Sequence, residues 1–387
     1  MGDWLSNAND ALCLKLVRAA RDEGVLSEDE HSVVEEFHPT FTYPIFGDKE
    51  TIYGYADLKI SLFFASGSLS MFLNVASTAK LPSKTADDVE GKLYKFIPPD
   101  YSKSVESFQN MVEKDATTFR PLGEKIHTYV RRAASHGKGK SKEASPISED
   151  DPDAVVFEVY HSTWDTPGFR EYHRRMQIFI LLYIEGGSYI QEDEEKWEFV
   201  VLYERRRSHS PNDNSDDPPT YTYHFAGYSS LYPFWCWPDK VRLRLSQFVL
   251  LPPYQHAGHG SALYNAIYHF SLGRDDVVEL TVEDPSEAFE DLRDRNDMKR
   301  LLSLEASIQG HRLGRQFNRL IEMLLLRELD SSSKQSQKAF RLQVKERLFR
   351  FNYEILAQLA KEERLEKLEE TFQNVRTDYQ RILATVK

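Results

Sequence analysis

The chain has 387 residues, of which 41% are hydrophobic and 12% aromatic, enough for a large core and two or three domains. Its formal net charge is −12, from 49 basic and 61 acidic residues. That balance provides no overall positive field for nucleic acid and favours a basic partner over an acidic one, although an acidic surface also simply keeps a protein soluble. No apolar run in the sequence approaches the roughly 18 residues that cross a bilayer, which excludes a membrane span.

The first part of the chain, 1–130, alternates apolar runs with turns. The runs "TIYGYADLKISLFF" and "GSLSMFLNVA" have strand character. We therefore predict an α+β N-terminal domain here. The following segment 131–153, "RRAASHGKGKSKEASPISEDDPD", is polar, charged and almost free of bulky apolar side chains, which predicts a mobile surface loop or linker.

The segment 154–296 has the pattern of a second compact domain. Strand patterns occur in "AVVFEVYHS", "WEFVVLYERRR", "TYTYHFAGYSSLY", "VRLRLSQFVLL" and "VVELTVED", and a helical pattern in "FREYHRRMQIFILLYIEGGS". A glycine turn and a further helix lie between the last two strands. Strand, glycine turn, helix and strand in that order indicate a βαβ-like unit in a mixed sheet.

The last part, 297–387, is almost entirely helical in pattern. In its final stretch, apolar residues recur at alternating spacings of three and four: Leu365, Leu368, Phe372, Val375, Tyr379, Ile382 and Val386. This stripe covers only about three heptads, so we expect it to pack on the preceding helix and not to form an intermolecular coiled coil. The sequence thus predicts a helical C-terminal domain.

The stretch "LLPPYQHAGHGSALYNAIYHF" places two prolines and two glycines between a strand and a helix. Pro252 and Pro253 cannot donate to a sheet, so the strand should end there. Gly258 and Gly260 remove side chains where the chain turns into the helix, whose N-terminal amides and dipole suit a pyrophosphate. The pattern is neither a Walker loop nor Gly-x-Gly-x-x-Gly; it is Gln-x-x-Gly-x-Gly, beginning at Gln255. Two glycines before a helix also serve tight turns.

Two carboxylates, Glu283 and Asp284, end the next strand, and Pro285 stops it. A carboxylate at this place can accept a proton from an incoming amine. A lysine, with an ordinary pKa near ~10.4, needs that help, because its ammonium form cannot attack a thioester. Partial burial would make a better base than full exposure, and the sequence leaves this open. The alternative is that one of the two acids only caps the following helix.

Longer stretches around these motifs resemble one family. "LSQFVLLPPYQHAGHGSALYNAI" and "ELTVEDPSEAFEDLRDRND" closely resemble the catalytic subunit of the type B histone acetyltransferase, within the GCN5-related N-acetyltransferase superfamily, whose acyl-coenzyme A signature is similar to Gln-x-x-Gly-x-Gly. "YPIFGDKETIYGYADLKISLFFASGSLSMFLNV", "TPGFREYHRRMQIFILLYIEGGSYI" and "GRQFNRLIEMLLL" resemble its N-terminal domain, the start of its acetyltransferase domain and its helical C-terminal region. The resemblance implies that superfamily's α+β fold, a mixed sheet with splayed strands and flanking helices.

The resemblance also implies a reaction: direct transfer, in a ternary complex, of acetyl from acetyl-coenzyme A to lysines in the N-terminal tail of newly made free histone H4. Glu283 matches the general base, with Asp284 beside it as the second candidate. The cofactor site corresponds to Phe248, Val249 and Leu250 for the acetyl and pantetheine parts, to Gln255, His256, Ala257, Gly258, His259, Gly260 and Ser261 for the pyrophosphate, and to Ser286 and Arg295 for other parts of coenzyme A. A strand amide near residues 248–250 should meet the oxyanion.

The substrate contacts of the family correspond to five residues: Asp48, Glu50, Pro233, Phe234 and Trp235. Carboxylates opposite a basic tail and aromatic rings along lysine stems make physical sense. The alternative for Phe234 and Trp235 is a place in the core between domains. Cys236, flanked by aromatic residues, is expected to be a packed thiol and not a nucleophile.

Partners and location follow from the resemblance and the composition. The family implies a β-propeller (WD40) histone-binding chaperone and histone H4 with its H3 partner, and we expect no membrane and no direct nucleic acid contact. Only two cysteines and no signal-peptide pattern indicate an intracellular, reducing compartment. With the resemblance, we expect a cytoplasmic and nuclear location. His256 and His259 have no obvious third ligand, so no metal is expected.

Two other functions stay open at this point. One is an acetyltransferase for another basic protein or a small amine. The other is a histone-binding chaperone subunit that kept the fold and lost catalysis, against which the intact Gln255, Gly258, Gly260 and Glu283 speak.

Overall fold

The structure is a computed structural model that describes residues 4–24, 26, 28–132, 147–149, 151, 154–207, 220–303, 315–330 and 332–386. The chain forms two compact units, Met1–Asp284 and Pro285–Lys387. Among the helices within these ranges, none combines the length and the apolar character that crossing a membrane requires.

The N-terminal part of the first unit is built on a three-stranded sheet. This part of the chain contains the strands β1 (Leu5–Asn7), β2 (Leu12–Val17), β3 (Thr51–Tyr53), β4 (Tyr55–Ala56), β5 (Lys59–Ala65), β6 (Met71–Ala76) and β7 (Ala79–Lys80). The three-stranded sheet consists of β2, β5 and β6. The helices of this part are α1 (Ala8–Ala11), α2 (Ala20–Glu23), α3 (Tyr43–Phe46), α4 (Val89–Leu93) and α5 (Val105–Thr118), with a 3₁₀ helix at Glu28–Val34. Strand β5 lies between β2, parallel to it, and β6, antiparallel to it. Its Ile60, Leu62 and Phe64 are fully buried, as expected for a central strand.

A six-stranded sheet forms the rest of the first unit. Its strands are β8 (Glu124–Arg132), β9 (Ala154–Thr163), β10 (Glu198–Arg207), β11 (Tyr221–Cys236), β12 (Lys240–Leu250) and β13 (Val277–Val282), and they lie in the order β13-β12-β11-β10-β9-β8. Helices α6 (Phe169–Met176), α7 (Ile178–Tyr183) and α8 (His259–Leu272) accompany them, with a 3₁₀ turn at Pro252–Tyr254. All neighbours are antiparallel except β12 and β13, which are parallel and joined through α8. The predicted α+β class with a mixed sheet is confirmed.

Strand β12 contains a bulge that separates it from β13. Against β11, Gln247 pairs with Ser230 but Leu245 pairs with Leu231, so Ser246 is an extra residue. The register with β13 extends to Leu245, whose carbonyl oxygen accepts the N–H of Glu283 at 2.9 Å. Strand β13 ends at Val282, opposite Leu245, so the two strands are no longer paired beyond this point, where β12 continues past the bulge to Leu250. A bulge bends its strand and increases the local twist, and this one lies where the sequence predicts the splay.

The division of the chain differs from the bounds predicted from the sequence. Strand β8 extends two residues into the predicted linker 131–153 and pairs with β9 along its length. Residues 133–146, 150, 152 and 153 of that linker lie outside the described residues. The first unit ends at Asp284, whereas the sequence suggested a domain end near 296. The four predicted segments stay a prediction.

The second unit is helical throughout its described residues. It contains α9 (Glu287–Ser303), α10 (Arg315–Arg327), α11 (Lys334–Phe351), α12 (Tyr353–Leu356) and α13 (Lys361–Thr385). The predicted stripe of α13 packs within the chain: Leu368 and Phe372 join a cluster with residues of α11, and Tyr379 and Ile382 join one with residues of α9 and α10. Leu365 is the exception, because it is 54% exposed.

Candidate active site

The turn after β12 has the backbone conformation that its glycines allow. The two prolines form the 3₁₀ turn Pro252–Tyr254, and Gln255 returns to an extended conformation. His256 then has φ +61°, and Gly258, the N-cap of α8, has φ +82°. A left-handed residue with a side chain is strained, which explains why glycine stands at the N-cap. Because the first turn of a helix presents its amides outward, this end of α8 suits an anionic group.

One exposed contact and a set of buried contacts hold this turn in place. The side-chain amide of Gln255 donates to the carbonyl of Leu250 at 2.8 Å, and the buried Tyr254 hydroxyl donates to Glu204 at 2.8 Å. Arg18 donates to Tyr254 at 3.0 Å and forms two hydrogen bonds to Glu204, at 3.1 and 2.7 Å. Burial by itself would raise the pKa of Glu204, but Arg18 holds it well below its ordinary value. The turn thus rests on a buried ion pair that its own sequence does not contain.

His259 is part of this support and not a ligand side chain. It is 5% exposed, its Nδ1 shares a hydrogen bond with the Tyr129 hydroxyl at 2.8 Å, and its ring lies 4.2 Å from that of Phe157. Burial, reinforced by the positive charge of Arg131, lowers the pKa of His259 to about 4, so the ring is neutral at pH 7. His256 is exposed. Among the described residues, no cluster of three or more His, Cys, Asp or Glu could hold a metal ion.

A cation that the sequence analysis missed stands beside the turn. A Cβ atom added to Gly258 would lie 3.6 Å from Nη2 of Arg131, whose guanidinium also sits 5.0 Å from the Tyr129 ring. Arg131 is exposed at the end of β8, which the sequence analysis assigned to a linker. Only the pairing of β8 with the sheet brings it here. A glycine cradle, a helix N-terminus and an arginine together fit a phosphate-bearing ligand.

The separation of β12 from β13 creates a slot lined by backbone. The Val249 carbonyl approaches Gly227 of β11 so closely that a Cβ there would lie 2.3 Å from its oxygen, and the Leu251 N–H donates to Ala226. Backbone groups alternate sides along a strand, so those of Phe248 and Leu250 point the other way, towards the slot. The buried hydroxyl of Ser246 has no hydrogen-bond partner within the described part of the chain. Backbone N–H and C=O groups and a hydroxyl can form hydrogen bonds with an extended part of a ligand that contains amides.

One face of the sheet beside this slot carries three columns of side chains, which we call the acceptor face: aromatic residues on β11 (Tyr232, Phe234), arginines on β12 (Arg242, Arg244) and glutamates on β13 and directly after it (Glu279, Glu283). Arg242 donates to Glu279 at 2.6 Å. Arg244 lies 3.6 Å from Glu283, and its guanidinium carbon lies 4.3 Å from the centre of the Phe234 ring. The Glu283 side chain is 45% exposed.

The predicted acceptor residues fall into two groups. Phe234 and Trp235, at the end of β11, are 37% and 65% exposed, so Trp235 is not the core residue that the alternative required. Glu50 lies on the turn after α3, where its carboxylate accepts the N–H of Thr42 at 2.6 Å and of Tyr43 at 3.1 Å. That carboxylate serves the start of α3. The remaining two are the exposed Asp48 on the same turn and the half-buried Pro233 of β11.

Two predicted coenzyme A contacts lie in the second unit. The hydroxyl of Ser286 accepts the N–H of Phe289 at 3.3 Å at the start of α9, so this serine caps the helix. Arg295 is exposed on α9 and donates to the carbonyl of Asp291 at 3.1 Å.

Within the first unit, the turn thus follows the C-terminal end of β12, the slot lies along one edge of that strand, and Glu283 is bonded to its Leu245. The role of each predicted site residue remains a prediction. The residues that sequence reasoning missed are Arg18, Glu204, Arg131, Ser246 and Arg244. They carry no local motif, since most of them act on segments distant in the sequence.

Comparisons with known proteins agree on one family. A family model described as "Histone acetyl transferase HAT1 N-terminus" matches residues 4–185. A histone acetyltransferase type B catalytic subunit of Cryptococcus neoformans var. neoformans serotype D is 52% identical, over 98% of this chain and 97% of that protein. Proteins of the same name from Mycosarcoma maydis (46%, 97% and 87%) and Homo sapiens (30%, 99% and 94%) match as fully. The similarity extends over nearly the full length of the chain and so includes the glycine turn and the acidic strand end. The chain therefore belongs to the family of type B histone acetyltransferase catalytic subunits.

Proposed function

We propose that the chain transfers acetyl from acetyl-coenzyme A to lysines in the N-terminal tail of newly synthesised free histone H4, with Glu283 as the general base. Membership of the family makes it a histone acetyltransferase, an enzyme of the acyltransferase class. The cosubstrate, the H4 tail and the base go beyond that membership. The observation that supports them best is the position of Glu283, whose N–H bonds to Leu245 at 2.9 Å where β12 and β13 separate.

The fit of the first unit to coenzyme A supports the choice of cosubstrate. Its pyrophosphate would be held by the turn 255–261, with the Arg131 guanidinium beside Gly258. Its pantetheine arm would lie along the slot, against the outward-facing backbone of Phe248 and Leu250. When bound, acetyl-coenzyme A supplies the thioester carbonyl that the amine attacks.

Glu283 would carry the proton transfer in this reaction. Its exposed carboxylate can take the proton of the lysine ammonium, directly or through one water molecule, and release the neutral amine that acylation requires. Strand amides at 248–250 are the donors that we propose for the carbonyl oxygen as it gains negative charge. Asp284, with φ +34° at the end of the strand, is the second candidate for the base. Direct transfer involves no covalent enzyme intermediate.

The exposed aromatic residues support a peptide acceptor and not a small amine. Phe234 and Trp235 offer flat apolar surface beside Glu283, as required to pack along the stem of a lysine within a longer chain. The net charge of −12 favours a basic tail. The proposal includes histone H3 as the companion of H4, a β-propeller chaperone as partner, and action in cytoplasm and nucleus.

The test is steady-state acetyl transfer to an H4 tail peptide, compared with a tail peptide of another core histone and with a scrambled H4 peptide of identical charge. We expect kcat/KM for the H4 peptide to exceed both by at least about tenfold, since sequence and not charge alone would be recognised. Equal rates on all three peptides would reject the H4 assignment. Transfer to none of them, with coenzyme A still bound tightly, would reject the whole proposal.

A further inference from the structure

We propose that Arg244 competes with the acceptor lysine for the base: it occupies the carboxylate of Glu283 until the ammonium group of the lysine displaces it. This inference rests on the proposed function, because it takes Glu283 as the group that the acceptor must reach. It adds to the reaction a residue that competes with the substrate for the base.

Two arginine–glutamate pairs connect β12 to β13, and they differ in a way that the register explains. Arg242 lies directly opposite Glu279, and the two are 2.6 Å apart. Arg244 lies opposite Thr281, so it must reach diagonally to Glu283, and the pair is 3.6 Å apart. The first pair is closed by strand geometry, whereas the second is a loose contact. A loose pair is the easier one for an incoming cation to open.

Arg244 also makes a second contact from the same position. Its guanidinium carbon lies 4.3 Å from the centre of the Phe234 ring, within the range of a cation–π contact. An arginine that releases Glu283 can therefore stay on the acceptor face, stacked on the ring, and does not have to return to water. Phe234, which is predicted to contact the substrate, would thus also bind the Arg244 guanidinium after it leaves Glu283.

The competition follows from charge. A lysine ammonium that reaches Glu283 must replace the guanidinium as its close cationic neighbour, because two cations at one carboxylate repel each other. A cationic acceptor gains the carboxylate in return, whereas a neutral group gains no such contact. Arg244 consequently weakens the binding of acceptors that bring an ammonium group to Glu283 and leaves the binding of neutral ones unchanged. Removing its charge should tighten the binding of lysine peptides.

The experiment measures peptide binding by calorimetry on the full chain saturated with coenzyme A. Arg244→Met keeps an unbranched apolar side chain beside Phe234 and removes the charge. We expect it to lower the Kd of the H4 tail peptide about two- to fivefold, the range for a partly exposed ion pair, and to lower KM equally with kcat unchanged. Arg244→Lys should restore the wild-type Kd. The matched control Arg242→Met, which removes the closed pair on the same two strands, should leave the Kd within twofold.

Two further measurements distinguish competition for Glu283 from general electrostatic repulsion between Arg244 and a basic peptide. A peptide with norleucine at the acceptor lysine should bind Arg244→Met no more tightly than wild type, since it carries no ammonium to Glu283. In the Glu283→Gln background, Arg244→Met should have no effect on Kd, because there is no carboxylate left to occupy.

Weaker binding by Arg244→Met, equal tightening for the norleucine peptide, or the same effect from Arg242→Met would overturn the inference. Because these arms measure binding without turnover, they also separate it from the proposed function. Failure of the wild type to acetylate any histone tail would reject that function, while tightening that depends on Glu283 would still uphold the competition.

Discussion

The cofactor turn and the acceptor face lie at opposite ends of the same strand, β12, yet they are built differently. The turn rests on a fully buried ion pair, Arg18 with Glu204, and on Tyr254, whose hydroxyl contacts both. The acceptor face carries the pair of Arg242 with Glu279 and the loose pair of Arg244 with Glu283, and all four side chains are partly exposed. The bulge at Ser246 separates the two regions.

This difference indicates two ways of making a site. On the cofactor side, the Glu204 carboxylate and the Tyr254 hydroxyl already have their partners, so the turn is formed before any ligand arrives. On the acceptor side, the charged groups are exposed and exchange partners easily, so the peptide itself would complete the site. Substitutions beneath the turn should then affect folding, and substitutions on the acceptor face should affect turnover and peptide binding.

The largest effect on stability is expected from Arg18→Met. It would leave the buried Glu204 with Arg206 as its remaining cationic partner, and breaking a buried pair typically costs up to about 3–5 kcal/mol of unfolding free energy. Urea denaturation of the variant and of the wild type measures this loss of unfolding free energy. Lys59→Met is the matched control, because its pair with Glu36 is exposed and should contribute less than about 1 kcal/mol. Similar losses in both variants would remove the distinction between a buried support and an exposed pair.

A pH dependence should mark the same support. Burial lowers the pKa of His259 to about 4, against an ordinary value near ~6.5 in the unfolded chain. The unfolded state therefore binds the proton more readily, and stability should fall as the pH drops from about 6.5 to 4, by up to about 3 kcal/mol. In His259→Gln this part of the pH dependence should disappear. A wild-type curve that stays parallel to that of the variant across this range would contradict the assignment.

A smaller effect is expected from Gly258→Ala. Its φ of +82° would strain any residue with a side chain, at a cost of about 1–2 kcal/mol, and the new Cβ would stand at the helix end that faces the ligand. We expect coenzyme A affinity to fall about tenfold by calorimetry. Gly273→Ala is the control, because that glycine has φ −74° and a Cβ there would meet nothing closer than 3.6 Å. Equal losses of affinity would deny a special role to Gly258.

The smallest effect should come from Trp235→Ala on the acceptor face. This side chain is 65% exposed, so the melting temperature should barely change. KM for the H4 peptide should rise about two- to fivefold through loss of about 0.5–1 kcal/mol of contact with a lysine stem. Tyr94→Ala, which removes an aromatic residue of 54% exposure from another element, should leave KM unchanged. An unchanged KM in Trp235→Ala would remove this residue from the substrate site.

Local hydrophobic patterns in the sequence were enough to predict most of the fold. Alternation and apolar runs located strands such as β10 and β12, and the spacing of three and four located α13, because each element buries one face of its own. Leu365 departs from the buried stripe because it lies in the first turns of α13, before the helix meets the clusters that cover the later residues. Class and order of elements were therefore predictable, and exact bounds were not.

The site was predictable only where it is local. Gln255, Gly258 and Glu283 stand in short motifs whose chemistry can be read in sequence order. Arg18 and Glu204 are 186 residues apart, and no pattern connects them before the sheet has formed. The bulge at Ser246 has no compositional signal either, since it is a matter of register. Long-range pairing, and not motif chemistry, decides which residues support the turn.

The most direct test of the account is the single-turnover rate of Glu283→Gln with acetyl-coenzyme A and the H4 tail peptide, compared with Asp284→Asn. The account predicts a fall of about 10²- to 10⁴-fold in Glu283→Gln, with coenzyme A affinity and melting temperature unchanged, and a much smaller fall in Asp284→Asn. A near-normal rate in Glu283→Gln together with an inactive Asp284→Asn would contradict it and move the base to the neighbouring residue.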